Sequence, residues 1–199
     1  MTAALAHLRA DYDAQAGKSL ALPLAGATVW AAAGIASLFL SPSIATFVLI
    51  FATGTIFPLG LLFARVLRER LLNNTNPLAK LMALCVLMVN LLWAVHLTLL
   101  YTAPTLIPLT LGIGLGLHWI VFSWIIQHPV GIIHAIARTL LATVAWWALP
   151  DHRLGAVCAV VVLSYLYTVV ILRGRRPNTV AFNGDEGAAP ESAGRTTGG

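Results

Sequence analysis

Apolar residues dominate this chain in six long blocks, each of about the 20 residues that a helix needs to cross a bilayer core. Turn and cap residues separate the blocks, as at Ser41-Pro42 and Asn76-Pro77. Regular alternation of apolar and polar residues, which is typical of a membrane β-barrel, is absent. The pattern therefore predicts an all-α polytopic membrane helical bundle with six transmembrane helices, over Leu20–Leu40, Ser43–Ala64, Leu78–Tyr101, Pro104–Ile126, Val130–Leu149 and Leu154–Leu172.

The two ends of the chain differ in composition from the blocks between them. Residues 1–19 carry acidic and basic side chains, and we interpret them as a cytoplasmic N-terminal segment that leads into the first span. Residues 173–199 begin with basic side chains and continue with mostly Gly, Ala, Pro, Ser and Thr, a composition that favours disorder. We therefore predict three parts: residues 1–19, a six-span domain over residues 20–172, and a cytoplasmic tail over residues 173–199.

Composition supports the membrane class, since 59% of the 199 residues are hydrophobic and only 10% are charged, whereas soluble domains have about 25% charged residues. The net charge of +5 does not indicate nucleic acid, because the basic residues lie between apolar blocks rather than on one soluble face.

The basic residues instead predict the orientation. With both termini in the cytoplasm of a bacterial inner membrane, only Arg153 among the basic residues near span ends lies outside, as the positive-inside rule requires. The residues then placed at or toward the inner side are Arg9, Lys18, Arg65, Arg68, Arg70, Lys80, Arg138, Arg173, Arg175 and Arg176.

The polar side chains within the spans limit the chemistry. No Asp or Glu lies in any predicted span, and the chain has no recognised nucleophile–base or metal-ligand spacing. The sequence therefore predicts no catalytic residue, no metal site and no cofactor, and we interpret the protein as a non-enzyme.

One stretch, HWIVFSWIIQHPVGIIHAIAR over residues 118–138, concentrates cationic and imidazole groups. At 1.5 Å of rise per residue, His118 and Arg138 lie roughly 12 Å from the inner ends of adjacent spans, and Asn90 roughly 18 Å deep in span three. His134 lies one turn from Arg138 on the same helix face. These four residues are our candidate ligand-binding set, with Arg138 as the charge partner.

Three interpretations of Arg138 remain open at this point. Its side chain reaches the inner headgroups as a topology anchor, or it joins a structural network between helices, or it binds an anion. Pro58 offers one partner, since a proline within a helix frees the carbonyl of the residue four earlier, here Gly54. Gly112 and Gly116 indicate close helix packing, with a loosened helix along a substrate path as the alternative.

Three segments carry a resemblance to a known family: ATGTIFPLGLLFA in span two, the Asn76-Pro77-Leu78 entry to span three, and the run from His118 to Trp124. Together they resemble an uncharacterised bacterial family of small multi-span integral membrane proteins, a domain of unknown function, over about residues 20–150. The resemblance implies a small helical bundle and no particular activity.

Two functional hypotheses follow. The first is a small transporter or binding protein for an anionic solute or lipid headgroup, in which His118, His134 and Asn90 orient a ligand at Arg138. The second is an accessory or structural membrane subunit, whose spans pack against a larger membrane protein partner or in a homo-oligomer. Both hypotheses place the protein in the lipid bilayer, and neither involves nucleic acid.

Overall fold

The computed structural model describes residues 2–69 and 75–177, and these residues form helices and no strands. Two short 3-10 turns, Pro104–Leu106 and Pro150–His152, precede α7 and α10. The α-helices are α1 (Thr2–Ala16), α2 (Ala21–Ala36), α3 (Pro42–Thr53), α4 (Ile56–Leu67), α5 (Pro77–Leu91), α6 (Trp93–Thr102), α7 (Ile107–Gly114), α8 (His118–Ile126), α9 (Val130–Ala148) and α10 (Arg153–Gly174).

Four helical segments within the described ranges are long and apolar enough to cross a membrane. Two further helix pairs qualify only if each pair is one span: Ala3–Ala16 with Ala21–Ala36, bent by 56°, and Pro42–Thr53 with Ile56–Leu67, bent by 51°. The chain thus has the helices of a multi-pass membrane protein with four to six candidate spans, which confirms the all-α prediction in this coarser form. The four single segments are Pro77–Thr102, Pro104–Ile126, Val130–Ala148 and Pro150–Gly174.

The turn between α8 and α9 follows the chemistry of its sequence. Gln127 adopts a left-handed conformation with φ of 50°, which ends α8. The Ser123 hydroxyl then accepts hydrogen bonds from the backbone N–H groups of Gly131, at 2.7 Å, and Ile132, at 2.8 Å. Because the first N–H groups of a helix lack partners within it, this serine caps α9 and fixes it against α8. The predicted break between the fourth and fifth spans, at residues 127–129, is confirmed.

The helices differ greatly in how much of their surface is covered. α10 packs along α2 and α9, and Trp30, Val157 and Val161 are buried there. By contrast, only 11% of the most apolar part of Pro77–Thr102 is buried, and Leu84 and Met88 on α5 are exposed. Exposed apolar surface of this extent is typical of a face in contact with lipid or with another membrane protein.

The predicted N-terminal segment contains a helix that is fastened to the rest of the fold. Asp13 of α1 is buried and forms an ion pair with Arg175, just after α10; one of its hydrogen bonds, Nη1 to Oδ2, measures 2.9 Å. The Asn76 amide donates to the carbonyl of Leu8 at 2.8 Å and to the Asp11 carboxylate at 2.7 Å. Residues from both ends of the chain therefore meet at one end of the bundle, the α1 end.

A second contact at the α1 end fixes the start of α2. Glu69 accepts hydrogen bonds from the backbone N–H groups of Leu20, at 2.9 Å, and Ala21, at 3.2 Å. A carboxylate at a helix N-terminus satisfies unpaired N–H groups and interacts favourably with the helix dipole. In the predicted tail, Arg175 is held by the bundle, while residues 178–199 lie outside the described ranges.

Candidate functional site

Arg138 lies in the middle of α9 with its side chain fully enclosed, at 0% exposure. Its Nε donates a hydrogen bond to the carbonyl oxygen of Gly112 at 2.5 Å. Within residues 2–69 and 75–177, the only ion pair is that of Arg175 with Asp13, so no described carboxylate neutralises Arg138. The side chain does not reach the surface, which makes its interpretation as a headgroup anchor wrong.

The acceptor on Gly112 is free because the helix breaks there. In a continuous helix the Gly112 carbonyl would accept from the N–H of Gly116, but that N–H bonds instead to Ile113 O at 2.8 Å. α7 ends at Gly114, and three residues of turn separate it from α8. The carbonyl of Gly54, which the sequence offered as one possible partner, is not the acceptor: a freed carbonyl does bind Arg138, but it comes from α7.

Gly116 also makes room for the guanidinium. A Cβ at this position would lie 3.1 Å from Cδ and 3.2 Å from Nε of Arg138. Gly112 has a packing role as well, since its Cβ would lie 3.0 Å from Val157 Cγ1 on α10. Gly112 therefore serves close packing, and the helix is broken between Gly112 and Gly116. That the broken helix follows a substrate path stays a prediction.

Aromatic rings surround the charge where a carboxylate is missing. The guanidinium carbon of Arg138 lies 5.5 Å from the ring centroid of Trp30 and 5.2 Å from that of Tyr165. Ring faces attract cations, and the attraction is stronger away from water. These contacts lower the cost of burying the guanidinium without cancelling its charge.

His134 lies beside Arg138, as the spacing of one helical turn predicts. Its Nδ1 is 2.7 Å from the Thr168 hydroxyl oxygen and 3.1 Å from the Ser164 carbonyl, and its Nε2 is 3.4 Å from Nη1 of Arg138. A neutral ring protonated on Nδ1 suits all of these contacts, because Nε2 then accepts from the guanidinium. The ring also stacks on Trp119, with centroids 4.7 Å apart.

The other two predicted residues have different positions. The ring of His118, at the start of α8, lies 5.6 Å from that of Trp119, which in turn stacks on His134. Asn90 is exposed, and its amide donates to Val86 O one turn earlier in α5. The prediction that Asn90 helps to orient a ligand at Arg138 is wrong, because neighbouring depths in the membrane do not make two side chains face each other.

Three buried donors at or near Arg138 lack an acceptor. Among the described residues, Nη2 of Arg138 and Nε1 of both Trp30 and Trp119 are buried without a hydrogen-bond partner. Buried polar groups are normally paired. A site with surplus donors, one positive charge and no acid is chemically suited to an anion with several acceptor oxygens.

A cavity of about 620 Å³ has Trp30 among its lining residues. It extends from the turn between α9 and α10 down between α2, α3 and α10, and Trp30 and Cys158 line it. Arg138 is not among its lining residues. The cavity is at the opposite end of the bundle from α1.

The sequence did not reveal the aromatic part of the site. Trp30 and Tyr165 come from α2 and α10, which are distant in sequence from α9, and Trp residues in apolar spans more often signal the membrane interface. One available signal is Gly26, where a Cβ would lie 2.5 Å from Tyr165 Cζ. This small residue lets the tyrosine ring occupy the space between α2 and Arg138.

One protein family matches most of the chain. The family described as "Family of unknown function (DUF7010)" matches residues 5–175, well over half of the chain. The chain belongs to this family. Its match confirms the resemblance to an uncharacterised domain and extends it to α1 and to Arg175, so that both partners of the Asp13–Arg175 pair lie within the family's range. No curated protein and no solved structure matches the chain.

Proposed function

We propose that this protein is a non-enzymatic membrane protein that binds or transports an anionic solute or lipid headgroup at Arg138. The observation that supports this most strongly is a fully buried guanidinium with an unpartnered Nη2 and no carboxylate partner in the described residues. His134 orients the guanidinium, and His118 lies at the edge of the site.

The energetic argument is that an isolated buried charge is costly. Effective desolvation penalties are several kcal/mol per ion, and the hydrogen bonds to Gly112 and His134 and the two cation–π contacts, at about 1–3 kcal/mol each, offset this cost but leave the charge without a counter-ion among the described residues. A bound anion would neutralise the guanidinium and accept from its free donors. The site gains most from a ligand with two oxygens, such as a carboxylate or phosphate, because arginine binds these groups with two parallel hydrogen bonds.

We also propose six spans with both termini in the cytoplasm of a bacterial inner membrane. In this arrangement the first span is residues 20–40, as the sequence predicts, and contains α2; the bent pair α3–α4 is the second span, and α1 lies at the cytoplasmic surface. The proposal is supported by the basic residues near the α1 end and by Arg153 at the opposite end. Single cysteines at Ser41 and at Asp151, in a background without Cys85 and Cys158, should react with an impermeant thiol reagent added outside intact cells.

Anion binding is tested by thermal melting of the purified protein in a nonionic detergent at constant ionic strength. The probes are acetate, inorganic phosphate, sulfate and glycerol phosphate, and the variants are Arg138→Gln and Arg138→Lys. An anion at 100 times its Kd stabilises the folded state by about 2.7 kcal/mol, which is readily measured. We expect Arg138→Gln to lose the shift and Arg138→Lys to reduce it, because lysine keeps the charge but not the two-pronged geometry.

Arg173→Gln is the control, because Arg173 is an exposed arginine at the end of α10 and does not line the cavity. It should respond to anions as the wild type does. If no probe shifts the wild type, or if both Arg138 variants respond to every probe as the wild type does, the assignment to Arg138 is wrong.

A second candidate function is an accessory or structural membrane subunit. The observation that favours it is the poorly covered α5–α6 segment, whose exposed side chains include Leu84, Leu87 and Leu91. Copurification after mild solubilisation distinguishes the accessory role from anion binding. A stoichiometric larger partner, lost when Leu84 and Leu91 are replaced by alanine, favours the accessory role. A monodisperse protein whose melting temperature rises with an anion favours binding.

A further inference from the structure

Trp30 is in contact with both the cavity and the buried Arg138. Trp30 lines the cavity, and its ring centroid lies 5.5 Å from the guanidinium carbon of Arg138. The indole Nε1 of Trp30 and Nη2 of Arg138 are both buried without partners. Movement of one side chain would therefore join an enclosed cation to a space already large enough for a ligand.

The cavity has the character of a site for an apolar organic group. Its walls are formed mostly by aliphatic side chains, such as Leu38, Leu149 and Val162, while charged groups, Asp151 and Arg153, line it at the turn between α9 and α10. Its volume of about 620 Å³ falls within the range of small-molecule sites, about 300–1,000 Å³. An inorganic anion would leave most of this apolar surface without contact.

We infer that the cavity and Arg138 form one binding site for an amphiphilic organic anion. The apolar part of the ligand fills the cavity, and its carboxylate or phosphate group pairs with Arg138 after the Trp30 side chain moves aside. This inference rests on the proposed function, which it deepens by giving the ligand an apolar part and a route from the end of the bundle opposite α1. The ligand is either a free organic acid or a lipid with an anionic headgroup.

Photolabelling in nanodiscs of phosphatidylcholine tests this inference. The probe is a medium-chain alkyl carboxylic acid that carries a diazirine, and the comparison probe is the corresponding alcohol. Labelled peptides are identified by mass spectrometry. We expect the acid to label the cavity walls on α2, α3 and α10 about tenfold more than the alcohol does, since one charge-assisted pair contributes roughly that factor.

Two variants separate the cavity from the arginine. Ala159→Trp places an indole at an exposed residue that lines the cavity, and it should abolish cavity labelling by both probes. Leu163→Trp, on an exposed part of α10 outside the lining, should label as the wild type does. Arg138→Gln should lower labelling by the acid to the level of the alcohol.

Each outcome decides one part of the inference. If the acid and alcohol label equally in the wild type, or if Arg138→Gln leaves the preference for the acid unchanged, the cavity is not joined to Arg138 and the inference is wrong. The proposed function would still stand if acetate or phosphate continued to shift the melting temperature through Arg138. It would fall separately if those shifts were also absent.

Competition identifies the source of the ligand. Loss of labelling when an anionic phospholipid replaces part of the phosphatidylcholine would support the site and assign a lipid. Loss of labelling only with an unlabelled free acid would support the site and assign a soluble ligand. If neither compound competes with the probe, the labelling is not specific and the inference is wrong.

Discussion

Nε of Arg138 and the carbonyl oxygen of Gly112 form a 2.5 Å hydrogen bond that joins the middle of α9 to the end of α7. The bond exists because α7 breaks before Gly116 can pair with that carbonyl. A break in a helix within an apolar environment normally leaves costly unpaired backbone groups, unless a neighbouring group satisfies them. The hydrogen bond therefore stabilises both the buried Arg138 and the break after α7, and a substitution at either place should affect both.

Replacing Gly116 with alanine should disturb this arrangement. The new Cβ would lie 3.1 Å from Arg138 Cδ, and overpacking of a buried site typically costs about 1–3 kcal/mol. Thermal melting should show a lower melting temperature and a weaker response to anions. Gly155→Ala is the control, since its Cβ would meet only the Ser37 hydroxyl at an ordinary 3.5 Å. Equal melting of the two variants would show that the space beside Gly116 is not limiting.

Arg138→Met should leave the melting temperature of the ligand-free protein close to that of the wild type, because its gains and losses are of similar size. Methionine keeps much of the side-chain volume, removes a buried charge whose desolvation costs several kcal/mol, and leaves acceptors on Gly112 and His134 unpaired at about 1–3 kcal/mol each. Arg138→Ala should instead melt lower, because it creates a cavity. If the methionine variant melts well below the wild type, the arginine serves a structural network, which was the second interpretation from the sequence.

The sequence predicted the helices well because their signals are local. Long apolar blocks and turn residues such as Gln127 act within a few positions, and so does the spacing of His134 and Arg138. The direction in which a side chain points around a helix depends on packing, and this is why Asn90 was misplaced. The partner of Arg138 also depends on packing, since a proline motif suggested Gly54 whereas a glycine-rich turn provides Gly112. The pairing of Asp13 with Arg175, 162 residues apart, has no local signal.

Asp13→Asn should release α1 from the bundle. Breaking a buried ion pair by removing one partner typically costs about 3–5 kcal/mol, because the remaining charge is left buried. We expect faster hydrogen exchange in α1 and a lower melting temperature. Adding Arg175→Gln to Asp13→Asn should recover part of the loss, whereas Arg176→Gln alone, at an exposed neighbour, should change little. If α1 exchanges equally in Asp13→Asn and the wild type, the ion pair does not hold it.

His128, in the turn between α8 and α9, should make stability depend on pH. Burial, followed by the nearby Arg175 cation, lowers the pKa of His128 from its ordinary 6.5, partly offset by Asp13. Its Nδ1 also accepts a hydrogen bond from Val130 N at 3.2 Å, which requires that nitrogen to be unprotonated. As pH falls below 6.5 the unfolded chain takes up a proton more readily than the folded protein does, so stability decreases toward the lowered pKa.

The contribution of His128 is measured by comparing melting temperatures at about pH 7.5 and pH 5.5, which bracket the ordinary histidine pKa. His128→Gln should lose less stability than the wild type over that interval, because glutamine does not titrate. His152→Gln, at the exposed turn between α9 and α10, serves as the control and should keep the wild-type dependence. An unchanged pH dependence in His128→Gln would mean that other groups carry the acid sensitivity of the fold.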